Sequence, residues 1–582
     1  MKDLNISHIR HTLAHLLASA VLDLYPETKN TIGPAIDDGF YYDFEFPSGV
    51  KISDNDLPAI EKKMKAHLKK WTKFTHRKVS EKEAREIYKN NPYKLELIDE
   101  IVEKGEKITL YTCGDFTDLC RGGHVENPGK DIAPDSWKLS RLAGAYWRGN
   151  EKNTMLTRIY GLAFATKLEL DDYETMKVEA EKRDHKKLGR ELKLFTLSPL
   201  VGSGLPLIQP KGMIIRDEIQ NYLWQLHKSK GYSRVWTPHI AKEELYKVSG
   251  HYEKFGDELF KVTGGEEKFI LKPMNCPHHM QLFADNQFSY RDMPVRYFEP
   301  ATVYRDEKSG QLAGLTRVRS ITQDDGHLFC RVSQINEEVG AIVHIIKTFY
   351  TTMGLMNDYW VSLSVRGDDK GKYLGGNEVW EKAEKALETS AKENNLNYKI
   401  IKGEATFYGP KLDFMFKDAI GRQWQLATIQ CDFNLPERFD LSFINEKGEK
   451  ESPVVIHRAI SGSLERFLGI LIEHFAGKFP LWLSPTQVRV IPVADDHHSK
   501  ALEIFNKMKG ADIRVDIDLT HNNFGKKIRE AKVDHVPYFI IIGDKDISAG
   551  KVTLESRDHG QIGQLGEEEV MEKLVKEIKE RK

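Results

Sequence analysis

Residues 314–327 read GLTRVRSITQDDGH, and residues 458–471 read RAISGSLERFLGIL. Both fall in the span 195–483, which holds long strand-like and helical stretches and most of the unusual polar clusters of the chain. A histidine marks each neighbourhood, His327 in TQDDGHLFC and His457 in VVIHRAISGSLERF, and a cysteine, Cys276, stands in KPMNCPHH. Separations of 51 and 130 residues are not the short spacings of a zinc finger, so these three gain meaning only from the motifs beside them.

On either side the chain changes character. Residues 1–170 mix a short helical opening with strand-like segments and Gly-rich turns. Residues 171–194 are dense in Lys, Glu, Arg and Asp, with Tyr173, Met176, Ala180 and Leu188 as sparse apolar points, which predicts a solvated linking helix. The alternative for that segment is a nucleic-acid contact through Arg183, Lys186 and Lys187. After Pro485 the pattern is simple. QVRVIPVA (487–494) is strand-like, 499–508 is helical, IRVDID (513–518) alternates strictly and 524–532 is helical; VPYFIIIG (536–543) reads as a buried strand, KVTLESR (551–557) alternates again, and 567–580 closes as a helix. Helical crossovers between such strands predict a small α/β domain. Its 17 basic and 18 acidic residues over 484–582 do not announce RNA binding by composition.

The length of 582 residues corresponds to three or four domains at about 150 residues each. Lys plus Arg is 86 and Asp plus Glu is 87, a net charge of -1, which excludes a histone-like or polybasic-tail protein and confines any nucleic-acid surface to a local patch. No apolar run approaches the ~18 residues of a membrane helix, and the N-terminus lacks an apolar signal segment. Five scattered cysteines do not describe a disulfide framework, so the expected location is cytoplasmic.

A second cluster joins His11 and His15 of HTLAH to Cys120 and His124 of CRGGH. On the opening helix a step of four places both histidines on one face, and the same step recurs at Cys120 and His124. Four such groups could complete a tetrahedral zinc site or line a metal-free hydrolytic pocket, and spacing leaves both open.

The segment 314–327, preceded by VYRDEKSGQLAG (303–314), resembles the second signature of the class II aminoacyl-tRNA synthetases; 458–471 resembles the third, and GYSRVWTPHI (231–240) the first. KPMNCP (272–277), FYGPKLDF (407–414), QLATIQCDFNLPERF (425–439) and VVIHRA (454–459) are together similar to the threonyl-tRNA synthetase family, and the likeness runs from HTLAH to VPYFIIIGDKD. It implies an α+β editing domain over 1–170, a linker helix over 171–194, a class II catalytic domain built on an antiparallel sheet over 195–483, and an anticodon-binding α/β domain over 484–582. The implied activity is ATP-dependent formation of threonyl-adenylate, transfer to tRNA(Thr), and hydrolysis of mischarged seryl-tRNA(Thr). The implied partners are ATP with Mg2+, L-threonine, tRNA and a second subunit.

The resemblance also assigns residues. Arg305 is expected on the α-phosphate and carboxylate, Glu307 on the adenine amino group, Arg317 on a further phosphate and Arg466 on the γ-phosphate, with Lys411 near the reacting phosphate. Cys276, His327 and His457 match zinc ligands that leave one position open for the amino and hydroxyl groups of threonine, with Asp325 as partner of the amino group and Gln323, Tyr408, Gln425 and Gln430 completing the pocket. His11, His15, Cys120 and His124 match a metal-free editing pocket, lined also by Asp118, Lys94 and Tyr42, so one Zn2+ per subunit is expected. Two departures stand out. The further small domain that many bacterial relatives carry ahead of the editing domain is expected to be absent. In the tail Arg529 matches an anticodon contact, but Glu555 stands where an arginine is common, Asp546 where glutamate is, and His521 or Asn522 where asparagine is. A carboxylate cannot donate as an arginine does. The competing readings are an RNA-holding relative without chemistry, disfavoured because Arg305, Arg466 and the zinc ligands are present, and a seryl or prolyl enzyme, disfavoured by the Cys/His/His set.

Overall fold

Asn5 opens the first helix, Ile6–Leu24, by accepting the Ser7 N–H on its side chain. Every residue from Thr12 to Val21 is buried, so this helix is the centre of its unit and not an amphipathic surface element. The computed structural model describes residues 5–582. They form two compact units, the first running to Val178 and the second from Glu179 to Lys582. In the first, the central helix packs on a sheet of Lys29–Asn30, Ala35–Ile36, Gly39–Glu45, Met155–Ala163 and Trp137–Tyr146, beside the helix Leu57–Leu68. A smaller antiparallel sheet of Thr75–Lys78, Thr109–Cys113 and Phe116–Leu119, with helices Glu81–Ile87 and Pro92–Glu103, delivers the chain to Cys120.

The second unit is built on an eight-stranded sheet in the order Ser233–Arg234, Val295–Tyr304, Ser320–Cys330, Val454–Ser463, Gln423–Asp432, Lys411–Lys417, Tyr359–Val365, Tyr398–Lys402. Its pairings are antiparallel except at the two edges. The period of two along a strand separates chemistry from core. Leu328, Cys330, Val454, Ile456, Ile429, Cys431, Leu412 and Phe414 belong to one apolar core with the helices Ile335–Thr352 and Leu464–His474. His327, His457, Gln430 and Lys411 alternate with them and lie on the opposite face, where Cys276, Phe329 and Val455 pack in a separate cluster.

The expected linking helix is two helices. Lys167–Arg183 buries only Leu170, as a solvated helix should, but the chain breaks at Asp184 and His185–Glu191 buries His185, Leu188 and Gly189. Arg183 donates through one guanidinium nitrogen to the carbonyls of Glu473 and His474, at 3.4 and 3.0 Å. The tail forms a sheet ordered Val515–Ile517, Val488–Pro492, Tyr538–Ile542, Val552–Ser556, Gly560–Leu565. Its first three strands are parallel, joined by helical crossovers as expected, while the last two are antiparallel. The strand Gly560–Leu565 and the short helix Asp544–Ala549 are elements the pattern reading left out. No helix among the described residues is long and apolar enough to cross a membrane, and all five cysteines are free thiols.

Candidate functional site

Strand register assembles the second unit's site. His327 faces His457 across one pairing and Gln430 faces His457 across the next, so residues far apart in sequence form one row. Asp325, Ala459 and Thr428 form the next row on that face. Gln323 then opposes Ser463 while Asp325 opposes Ala459, so residues 460–462 make a bulge with two extra residues. The bulge frees backbone amides, and Asp324 takes them up: its carboxylate accepts from Ile460 N at 2.7 Å and from Ser461 N at 3.0 Å. Gly462 turns the bulge at φ 69°, where a Cβ would stand 2.9 Å from the Leu426 carbonyl oxygen. Ser463 then caps the helix Leu464–His474 by accepting Arg466 N–H, and the first turn of that helix brings the Arg466 side chain to the cavity.

That cavity, of about 520 Å³, is lined by Arg305, Glu307, Arg317, Gln323, Tyr408, Gln425, Gln430 and Arg466, all expected there, and also by His251 and Phe255. Arg317 donates twice to Oε2 of Glu307, at 2.9 and 2.6 Å, which leaves Oε1 for another donor. Arg466 Nε donates to the Thr316 carbonyl at 3.0 Å. Burial, and next the nearby Arg317, pull the Arg466 guanidinium below its ordinary value; Arg305 is lowered by burial against Glu258 and Glu307. Guanidinium groups gathered around one cavity with few carboxylates make a polyanion site. Tyr408 donates to Gln430 Oε1 at 2.6 Å. Two expected residues are placed otherwise. Lys411 does not line the cavity, and its ammonium is held 2.6 Å from Asp413. Asp325 is also outside the lining, and burial raises its carboxyl above the ordinary value.

Cys276, at the start of the helix Cys276–Ala284, meets His327 and His457 with one ligand atom of each inside 4.8 Å of the others, all three buried. They sit behind the cavity wall: the Tyr408 ring stacks on His457 at 4.8 Å, and Cys276 Sγ is 3.5 Å from His251 Nε2. His457 Nε2 pairs with Asp432 Oδ2 at 2.8 Å, while its buried Nδ1 has no partner. His327 Nδ1 pairs with His279 Nδ1 at 2.8 Å, and His279 Nε2 meets Glu299 at 3.0 Å. A buried ring nitrogen left without a partner costs about 1–3 kcal/mol, and a Cys/His/His set with a carboxylate behind one histidine fits a divalent cation as that partner. Burial pushes the Cys276 thiol well up and His327 well down, so the surroundings favour the neutral forms, which metal binding would reverse at the thiol. Asp432, His279 and His251 are absent from the sequence reading. His279 lies one turn after Cys276 in CPHH, a spacing that could have flagged it; Asp432 is found only through strand pairing.

In the first unit His11 and His15 project from the central helix, and Cys120 and His124 come from the loop after Phe116–Leu119. Cys120 Sγ is 3.6 Å from His11 Nε2 and 3.3 Å from His124 Nε2, and one ligand atom of each of the four lies within 4.8 Å of the rest. Burial, reinforced by the neighbouring imidazoles, holds His124 down to about 2 and His15 well below its usual range, while burial lifts Cys120 to about 11. The cluster is therefore neutral near pH 7. Beside it a cavity of about 530 Å³ is lined by His11, His15, Tyr42, Lys94, Asp118 and Cys120. Lys94 Nζ is 2.6 Å from Asp118, and the Tyr42 hydroxyl donates to the same carboxylate at 2.5 Å. Six of the seven residues expected at this pocket line it, and His124 stands behind Cys120. In the tail, Arg529 is exposed, Glu555 pairs with Lys532 at 3.2 Å, and Asp546 is buried, accepting from Gly543 N, Thr553 and Gln564.

Residues 259–475 match the class II core domain of tRNA synthetases (G, H, P, S and T), residues 487–577 an anticodon binding domain, and residues 108–160 the second additional domain of threonyl and alanyl tRNA synthetases. The threonine–tRNA ligase of Thermotoga maritima is 44% identical over 575 residues, 98% of this chain and 88% of the relative. That of Rubrobacter xylanophilus is 47% identical over 555 residues, 95% and 86% of the two chains. Among solved structures, one titled the RNA binding domain of threonyl-tRNA synthetase from Cryptosporidium parvum is similar with a TM-score of 0.65 and 35% identity, covering 68% of this chain and 98% of that one. With the sheet, the arginine-lined cavity and both His/Cys clusters placed as described, this likeness over nearly the full chain means that the protein belongs to the threonine–tRNA ligase family of class II aminoacyl-tRNA synthetases.

Proposed function

We propose that the protein joins L-threonine to ATP, passes the threonyl group to tRNA(Thr), and clears seryl-tRNA(Thr) by hydrolysis in its first unit. The observation that carries this reading is one cavity lined by Arg305, Arg317 and Arg466 and backed, through Tyr408 and His251, by the Cys276–His327–His457 group. In the first step a threonine carboxylate oxygen bonds to the α-phosphorus of ATP and the bond to pyrophosphate breaks. Negative charge spreads over the phosphate oxygens, and guanidinium groups already fixed in place stabilise it without reorganising. Arg305 serves the α-phosphate and the carboxylate, and Arg317 and Arg466 the outer phosphates, with Mg2+ arriving on ATP. Oε1 of Glu307 is available to the adenine amino group while Arg317 occupies Oε2. Lys411, ion-paired to Asp413, acts on the site only by exchanging that partner.

Cys276 Sγ, a His327 nitrogen and His457 Nδ1 would hold Zn2+, with Asp432 and His279 orienting the two rings. A zinc ion held by these three would supply a Lewis acid able to tell an oxygen-bearing side chain from that of valine, which has no oxygen. Asp325, just outside the cavity lining, is the proposed partner of the amino group, and an ammonium brought to it would draw its carboxyl back toward the ionised form. Gln323, Tyr408, Gln425 and Gln430 shape the rest of the pocket.

Serine passes a hydroxyl test, and one missing methyl is worth only about 1–3 kcal/mol, so a second sieve is required. The first unit supports it. Neutral His11 and His15 line the cavity and can position a water by hydrogen bonding, and Asp118, held by Lys94 and Tyr42, fixes the wall against which the ester lies. A second reading, a zinc ion in this quartet, is favoured by the mutual approach of its four ligand atoms. Homodimerisation is part of the proposal; Trp236, 73% exposed within GYSRVWTPHI, supports an interface there. Exposed Arg529 is the anticodon contact proposed for the tail.

Zinc content and two activities test this together. Cys276→Ala should lose zinc and threonine activation; normal activation in that variant would overturn the ligand set. His11→Ala with His15→Ala should leave activation intact and let seryl-tRNA accumulate. Zinc per chain stays unchanged in that double variant if the pocket is metal-free, and falls by half if each site holds one ion.

A further inference from the structure

The described residues contain a third group with metal-ligand spacing, Asp184, His185 and Glu473, outside both sites. All three side chains already have partners. Asp184 accepts from Lys186 N and Lys187 N, at 2.6 and 3.3 Å, as the cap of a helix. Glu473 Oε1 accepts from His185 N at 3.1 Å and from His185 Nδ1 at 2.6 Å, and its other oxygen pairs with Arg422. The remaining ring nitrogen, His185 Nε2, lies 3.0 Å from the backbone N–H of Leu315.

These partners settle the proton. A backbone N–H can only donate, so Nε2 accepts and is bare; a carboxylate accepts, so Nδ1 carries the hydrogen. Burial alone would raise the Glu473 carboxyl, but the bonds from His185 and Arg422 outweigh it and hold it near 2, so it stays ionised. Leu315 is the centre of the tight turn 313–317, closed by Ala313 N to Arg317 O at 3.2 Å and Thr316 N to Ala313 O at 2.9 Å. Arg317 ends that turn, and Arg466 grips it at the Thr316 carbonyl. The ring is seated against the turn so closely that a Cβ on Gly314 would stand 2.2 Å from His185 Nε2. One imidazole thus ties the phosphate-facing turn to the end of the helix that carries Arg466.

We propose that His185 is a positioning residue for nucleotide binding, holding Leu315 so that Arg317 and Arg466 face one triphosphate. This rests on the reading that the arginine-lined cavity takes ATP. His185 itself touches no substrate; it acts through the turn.

The test compares His185→Ala, His185→Asn and His185→Gln in the full chain. Asparagine can place a donor where Nδ1 stands and lacks the acceptor for Leu315; glutamine can place an acceptor where Nε2 stands. The readouts are the Kd of Mg·ATP by calorimetry without amino acid, and the KM values for ATP and threonine in pyrophosphate exchange. Alanine and asparagine should weaken ATP about tenfold in Kd and KM while the threonine KM stays put, and glutamine should recover most of the ATP affinity. A merely structural role would instead lower kcat in all three through loss of folded enzyme and leave ATP Kd and both KM values at wild-type levels; that result overturns the proposal. If wild-type enzyme shows no threonine-dependent exchange, the activation reading fails separately, and the ATP Kd series still decides the role of His185.

Discussion

Lys94 and Asp118 are each only 2% exposed in their side chains, with Nζ and Oδ1 2.6 Å apart. The carboxylate also accepts from the Tyr42 hydroxyl at 2.5 Å and from Leu119 N at 2.8 Å, so it is well satisfied, while the ammonium depends on Asp118 and on Tyr42 at 3.3 Å. Asp118→Asn keeps the shape but leaves that ammonium buried without a counter-charge, which costs about 3–5 kcal/mol. Lys94→Met leaves the carboxylate with its two remaining donors, so its cost falls at the lower end, about 3 kcal/mol. Removing both charges together leaves only weaker polar imperfections, about 1–2 kcal/mol, so the two substitutions couple by several kcal/mol. Two compact units need not unfold together, and a global midpoint would blur the effect. The assay is therefore amide hydrogen exchange of the central helix Ile6–Leu24, where about 1.4 kcal/mol is tenfold in exchange rate. Asp118→Asn should speed exchange by about two to three and a half powers of ten, and the double variant by about one. Additive effects of less than tenfold each would mean that the pair is hydrated, and the argument from burial would fall.

Arg466→Ala should cut pyrophosphate exchange by about 100- to 1,000-fold with the fold retained, since a fixed donor to the phosphates is lost; undiminished exchange would put the nucleotide elsewhere. Asp432→Asn removes the carboxylate behind His457 and should lower zinc affinity about 10- to 100-fold in a chelator competition, whereas an unchanged affinity would separate His457 from the metal. Acid should weaken the first unit. His124 titrates near 2 in the fold but near 6.5 when unfolded, so its contribution is intact above about pH 6.5 and is lost as pH falls, by about 2 kcal/mol at pH 5. Burial shifts His15 in the same direction, so protection of Ile6–Leu24, corrected for intrinsic rates, should fall by more than about thirtyfold from pH 7 to pH 5; constant protection would contradict a neutral buried cluster.

How much of this was legible before the structure depends on the range of the signal. The tail strands Val488–Pro492 and Tyr538–Ile542 are continuous apolar runs and could be read directly, whereas Gly560–Leu565, built from Gly, Gln, Ile and Leu, owes its pairing to the neighbouring strand and carries no local strand signature. The His11–His15 step is a local helical spacing and held. The Cys276, His327 and His457 set could be named only by resemblance, because its proximity is created by strand pairing across 130 residues. In the connector, charge density argued for solvation and masked Asp184 as a helix cap and His185, Leu188 and Gly189 as a buried face. For Lys411 the motif gave no hint of its ion pair with Asp413, two residues on along the same face.

On the proposed function, one pocket reads the side-chain oxygen of threonine beside an ATP-binding arginine cluster. An amino-acid panel in ATP–pyrophosphate exchange tests it most directly. Threonine should exceed valine by far, because valine offers no oxygen ligand, and serine should remain detectable, because a single methyl is worth about 1–3 kcal/mol. Equal exchange with threonine and valine would contradict it.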